Sequence, residues 1–356
     1  MNKKLLTVAI AGAMATPMAA QAVKYKLSGQ VNRAIVFQDD GQQSDVRNVD
    51  AISSGTRWRL KGSEDLGNGM KVGFTYEMQT SSAPSSAALP DQNTDGANGV
   101  TGGSNIRQAN VWFSGGWGKL SMGQLDGAAN GATESDLSGT CISGNCVLQA
   151  SFTAGVVWRT SAGGTIGQRV GTTHSNLDGF SRYDGIRYDS PALGPVTISG
   201  SVGNDSKWDV AARVKTGLGG GQLSGALFYG EASGALNIED RWGGSLSYLF
   251  SQGTSITGSY AQSEAENATN DAENWYIKLG HKWGPHAVGI GYGETDELAG
   301  VGFEHTGWNI GYVHNLKKAN TQLYASFQHH ELDTPTGTAS VDDIHAFTIG
   351  ARVKFN

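Results

Sequence analysis

Beyond residue 22 the chain has no run of the roughly 18 apolar residues that a membrane-spanning helix needs, which excludes a helical membrane bundle. Proline is scarce, 7 in 356 residues, whereas glycine numbers 52. Proline breaks the ladder of a central strand and glycine serves tight turns, so this balance points towards sheet. The glycines have no period of three, which excludes a collagen-type helix. Basic runs are also missing. The net charge is −6, and becomes −8 once Lys3 and Lys4 near the amino end are set aside, so nucleic acid is excluded as a partner. Cysteine is nearly absent. Cys141 and Cys146 stand alone inside Gly139–Val147, and in an oxidising compartment a disulfide is favoured over free thiols or a metal, since no second Cys/His pair lies nearby.

What is present begins with an export signal. Lys3 and Lys4 precede an apolar run from Leu5 to Ala15, and Ala20-Gln21-Ala22 has the small-x-small pattern of a cleavage site. The expected organisation is a signal peptide over 1–22 and a single barrel domain over 23–356. The dominant signal after it is alternation with period two. In Glu273–Gly284, Trp275, Ile277, Leu279 and Trp283 alternate with Tyr276, Lys278 and Lys282. In Ile344–Asn356, Phe347, Ile349, Ala351, Val353 and Phe355 alternate with Thr348, Gly350, Arg352 and Lys354. Successive strand side chains point to opposite faces, so each segment has one apolar and one polar face. Many segments run to ten residues or more, long enough when tilted to cross a hydrocarbon layer, and aromatic residues sit near both ends of several apolar faces.

Sixteen such strands are expected: near 25–37, 55–65, 69–80, 106–114, 118–125, 181–190, 196–203 and 207–217, then 221–231, 240–251, 254–265, 273–284, 286–296, 303–316, 321–333 and 343–356. Short connections such as Leu66–Asn68, Gly115–Trp117 and Pro285 alternate with longer polar ones such as Gln38–Ser54 and Thr334–Asp343. Short turns on one side and long loops on the other define a transmembrane antiparallel β-barrel, all-β and closed, with no strand edge left in lipid. The connection from Asp126 to Ser181 is out of scale. Either it folds into the lumen as a long third extracellular loop, or it hides a further strand pair such as Phe152–Thr160 with Thr165–Thr172.

Several strings are similar to the general diffusion porins of Gram-negative bacteria: YKLSGQVNRAIVF at Tyr25–Phe37, TRWRLKGSEDLGNGMKVG at Thr56–Gly73, IRQANVWFSGGWGKLSMGQ at Ile106–Gln124, DLSG at Asp136–Gly139 and IRYDSP at Ile186–Pro191. The resemblance covers about 25–200 and the terminal strand. It implies a sixteen-stranded barrel in the outer membrane, usually a homotrimer, each subunit holding a water-filled channel for passive diffusion of ions and small hydrophilic solutes. It also implies that the third extracellular loop folds into the lumen and sets carboxylates against a basic wall. Carried onto this chain, the acidic loop residues are Asp136 in the DLSG string, with Glu134 and Asp126 beside it. The basic wall residues are Arg57, with Arg59 on the same face, Arg107, and either Arg182 or Arg187.

Phase supports these residues unevenly. Arg57, Arg59 and Lys61 alternate with Trp58 and Leu60 and so face the lumen. Arg107 shares phase with Ala109, Val111 and Phe113, which turns it outward unless a bulge or a subunit contact intervenes. Opposed charges across a narrow aperture create a transverse field, and such charges set ion preference. Both signs near the constriction favour a general pore over a substrate-selective one. The net acidity, with acidic stretches at Glu264–Glu273 and Glu294–Glu297, implies a weak cation preference. An outer-membrane enzyme finds no support among the eight histidines, none of which is spaced as a base beside a nucleophile, and no enzymatic activity is expected. His329 and His330 are adjacent strand residues facing opposite sides, so they cannot easily hold one metal together. A plugged structural or adhesive barrel is the remaining alternative. Expected partners are outer-membrane lipid and lipopolysaccharide. No cofactor is expected, although acidic extracellular loops suit bound Ca²⁺ or Mg²⁺.

Overall fold

The computed structural model describes residues 23–87, 103–144, 146, 150–234, 236–266 and 271–356. The expected signal peptide lies outside the described residues. The strands are β1 (Lys24–Asp39), β2 (Ser44–Asp50), β3 (Arg57–Gly67), β4 (Met70–Ser81), β5 (Gly103–Gly115) and β6 (Gly118–Asp126). A short pair follows, β7 (Val157–Arg159) and β8 (Thr165–Arg169), then β9 (Arg182–Asp189), β10 (Val196–Gly203), β11 (Lys207–Leu218), β12 (Gly221–Ala232) and β13 (Ile238–Leu249). The last six are β14 (Thr254–Ala265), β15 (Asp271–Trp283), β16 (His286–Asp296), β17 (Glu304–Leu316), β18 (Thr321–Asp333) and β19 (Ile344–Phe355).

Every neighbouring pair in the wall is antiparallel, and β1 closes the barrel against β19, from Gly29 opposite Phe355 to Asp39 opposite His345. The other edge of β1 is shared. Its lower half, Lys24–Gln30, pairs with β3, and its upper half, Arg33–Asp39, pairs with β2. β2 and β3 therefore occupy one wall position, interrupted at residues 51–56, and the barrel is sixteen-stranded. The upper half of that strand lies where a loop over Gln38–Ser54 is expected. Its sequence, SDVRNVD, is polar and only seven residues long, so alternation there is easily taken for loop.

Alternation sorts the side chains as the pleat requires. On β15, Trp275, Ile277, Leu279 and Trp283 are exposed on the outside while Tyr276 and Lys278 are buried inside. Aromatic rings form two outer belts. Trp208–Tyr229, Trp242–Tyr260 and Trp275–Tyr292 lie towards the long-loop end, with centroids 5.5–5.6 Å apart. Trp117–Tyr188 and Tyr248–Phe250 lie at the short-turn end. Amphipathic rings favour the two membrane interfaces, and the apolar band between the belts faces lipid. The short turns are as expected: residues 68–69, 116–117, 219–220 and 284–285. Asn68 in the first of these turns and Asn320 in the connection between β17 and β18 take positive φ, a conformation that asparagine adopts more readily than other non-glycine residues.

The segment between β6 and β9 contains the suspected strand pair in shortened form. β7 and β8 pair only with each other, outside the barrel sheet, so they add nothing to the wall. Arg159 of β7 forms a buried ion pair with Asp40, at 2.6 Å, beside the carboxyl end of β1.

Candidate functional site

The expected basic wall is an arc on β3, β5 and β9. Arg57 and Arg59 lie two apart on β3, and both reach Glu77 of β4, which is opposite Arg59 in the register. Arg107 joins them, with Nε 2.7 Å from Glu77 Oε1 and Nη1 donating to Gln79 Oε1 at 2.8 Å. It reaches the inner face because β5 carries a bulge there. Gln108 is opposite Glu77 and Ile106 is opposite Met78, leaving Arg107 as the extra residue. The phase inverts across that bulge, so Ile106 and Val111 both point outward although five residues apart. Arg182, at the start of β9, lies with Nε 2.7 Å from Asp126 Oδ1, and Gln108 donates to Asp126 Oδ2 at 2.7 Å. Arg187 is engaged with Asp189 at 2.7 Å and donates to the carbonyls of Asp126 and Gly127. Of the two candidates for the third wall position, Arg182 is therefore the one paired with a predicted acidic residue through its side chain.

Glu77 was not among the predicted residues. Its side chain is about as buried as any charged group in the barrel, and it is the centre on which three guanidinium groups converge. The signal was available in the alternation. Gly73, Thr75, Glu77 and Gln79 form the polar face of β4, and that face adjoins the arginine face of β3.

Segment 127–181 contacts side chains of buried phase around much of the wall. The amides of Ser135 and Leu137 donate to the hydroxyls of Ser245 and Ser247 on β13, at 2.9 and 3.0 Å. Asp136 forms an ion pair with Lys278 of β15 at 2.6 Å, with both side chains almost fully buried. Its carboxylate also accepts from the Ser138 amide at 2.6 Å, closing the DLSG turn. Ser138 approaches β15 at Gly280, where an added Cβ would lie 2.5 Å from the Ser138 Cβ, so glycine is required there for the turn to seat. Glu134 accepts from Asn176 at 3.1 Å within the segment. Cys141 and Cys146 are joined as a disulfide, with Cα atoms 4.4 Å apart.

Further along, Ile142 and Phe152 are buried in one cluster with Ala34, Val36, Val313, Tyr324 and Ala346, and Phe152 stacks on Tyr324. Thr153, Thr173 and His174 meet His330, His305 and Thr295 of β18, β17 and β16 at 2.8–2.9 Å. On the returning limb, Asp178 accepts from the amides of Gly131 and Thr133, at 2.5 and 3.1 Å. Burial pushes that carboxyl above its ordinary range. Near the long-loop rim, carboxylate oxygens of Glu294, Asp296 and Glu304 lie within 4.8 Å of one another, the first two within the acidic stretch Glu294–Glu297.

A family model described as a Gram-negative porin matches residues 6–335. The chain belongs to this family. As a porin, it is an outer-membrane protein. It is 31% identical over 132 residues to the major outer membrane protein P.IB of Neisseria meningitidis, a match spanning 35% of this chain and 34% of that protein. The chain thus aligns with about a third of the length of that relative. Among solved structures, the porin is similar to Salmonella typhi OmpF in complex with daunomycin, with TM-score 0.59 and 13% identity over 94% of this chain and 98% of that one. It is similar to the outer membrane channel DcaP of Acinetobacter baumannii, with TM-score 0.58 and 14% identity over 96% and 100%. OmpT of Vibrio cholerae, in its trimer form, gives TM-score 0.57 and 12% identity over 94% and 100%. At these identities the likeness is one of fold.

Proposed function

We propose that this porin forms a water-filled channel for passive diffusion of ions and small hydrophilic solutes, narrowed by segment 127–181 folded into the lumen. The observation that carries this reading is the set of bonds from Ser135, Asp136 and Leu137 to inner-face partners on β13 and β15, far around the wall from β6 where the segment starts. A segment held that way has the basic arc on one side. Arg57, Arg59, Arg107 and Arg182 then line the aperture, with Glu77, Asp126 and Glu134 as its acidic groups. Opposed charges across a low-dielectric opening orient water and dipolar solutes, and an apolar solute must give up that ordered water to pass. Asp136 enters this picture as an anchor that ties the segment to Lys278, rather than as a free carboxylate in the stream.

Both signs at the aperture support a general pore over a substrate-selective one. The acidic rim supports a weak cation preference, and the channel has no catalytic role in this reading. The trimeric Vibrio structure supports a homotrimer with one channel per subunit, embedded among outer-membrane lipid and lipopolysaccharide. The export signal over 1–22 is removed before assembly. Liposome swelling tests the diffusion reading directly. Vesicles containing the refolded protein swell in small sugars at rates that fall with solute size, whereas rates equal to those of protein-free vesicles would overturn it.

A further inference from the structure

His329 and His330 point to opposite sides of β18, and each finds other histidines there. The inner one, His330, is enclosed with His305. The outer one stands in a row across four strands. Trp308, His329, His345 and Asp39 are successive register partners on β17, β18, β19 and β1, all near the long-loop end. His329 Nδ1 and His345 Nδ1 are 2.9 Å apart. A carboxylate oxygen of Asp343, two residues before His345, and one ring nitrogen of each histidine lie within 4.8 Å of one another.

We infer that His329, His345 and Asp343 form a binding site for a divalent transition-metal ion of the zinc class on the outer rim of the barrel. The protonation pattern supports this. His329 Nε2 is 2.6 Å from Glu331 Oε1, and an ionised carboxylate only accepts, so Nε2 carries the proton. In the neutral ring Nδ1 then holds a lone pair aimed at His345. This is the carboxylate–histidine arrangement that fixes the tautomer of a metal ligand from its outer shell. The short contact between the two Nδ1 atoms in turn requires His345 to donate its Nδ1 proton. A metal ion replaces that proton, which moves to His345 Nε2, so the neutral pair binds without net proton release.

Two nitrogens 2.9 Å apart, each about 2.1 Å from an ion, subtend an angle of about 90° there. That suits a five- or six-coordinate ion and opens towards tetrahedral with a small shift of either ring. Imidazole selects zinc, copper or nickel over calcium and magnesium. Three protein ligands leave a position for water. The ion would tie residues 334–343, through Asp343, to strands β18 and β19. This inference does not rest on the channel reading.

The chain contains its own comparison. His286 and His314, on the outer face at the short-turn end, have Nδ1 atoms 3.2 Å apart but are not grouped with a carboxylate among the described residues. Zinc titration of the refolded full-length barrel should show one tight site per chain. His345→Ala and Asp343→Asn should each weaken it at least tenfold, Glu331→Gln by about tenfold, and His286→Ala not at all. Asp343 precedes β19, so its substitution leaves the wall intact, and heat-modifiable migration on gels checks that each variant is folded. Cobalt(II) in place of zinc should give a visible absorption band that His345→Ala abolishes. Absence of a saturable site, equal zinc affinity in wild type and Asp343→Asn, or loss of the site in His286→Ala would overturn the assignment.

Discussion

Glu77 holds three arginines, and removing its charge should be felt both in stability and in selectivity. Glu77→Gln leaves Arg57, Arg59 and Arg107 uncompensated on one arc, so the reversal potential in a salt gradient should move towards anions. An unchanged reversal potential would place the cluster outside the ion path. A second residue-scale test concerns Asp136 and Lys278. Both are almost fully buried, so Lys278→Met alone strands a carboxylate and should weaken the hold on segment 135–144 by about 3–5 kcal/mol. Pairing it with Asp136→Leu should recover most of that loss, read as hydrogen–deuterium exchange of the Ser135 and Leu137 amides. How far these residues were legible differs for a physical reason. The inward direction of Arg57 and Arg59 follows from alternation, whereas the resemblance singled out Arg57 as a wall position. Arg107 was in the wrong phase, because a bulge is a property of two strands in register and one strand's sequence does not display it. The link between Asp136 and Lys278 joins residues 142 apart, and no local pattern encodes it.

At the scale of elements, the wall was readable almost strand by strand, because lipid outside and water inside impose period two along every crossing. The misreadings fall where that rule lapses. β2 is separated from its continuation β3 by residues 51–56, so neither its length nor its apolar content marks it as a crossing. β7 and β8, the suspected pair in shortened form, alternate only briefly and lie outside the barrel sheet, in the segment between β6 and β9. The lipid-facing rule gives a depth-dependent prediction on β15. Ile277→Arg should cost about 2–4 kcal/mol and Trp275→Arg, near the interface, about 0–1 kcal/mol, measured by denaturant unfolding in phospholipid vesicles. Equal costs at the two positions would contradict the placement of the aromatic belt. The disulfide is an element-scale constraint too. Closing so short a loop restricts the open chain by about 2 kcal/mol, so Cys141→Ser with Cys146→Ser should raise exchange around Ile142 without lowering the stability of the wall.

For the whole molecule, closure is what allows a chain with so little continuous apolar sequence to live in a membrane. Every wall strand is paired on both edges, and the acidic surplus stays at the rim and inside. The barrel follows from the sequence and the structure together, and the family assignment places it in the outer membrane. Function then depends on whether segment 127–181 narrows the lumen or fills it. Contacts to Ser245, Ser247 and Lys278 tie the segment to β13 and β15, and the proposed path for solutes runs between it and the basic arc. The most direct test is single-channel recording of the refolded protein in a planar bilayer. Stepwise openings in groups of three, with ohmic conductance in potassium chloride, are predicted; a silent bilayer with correctly folded trimers inserted would contradict the account.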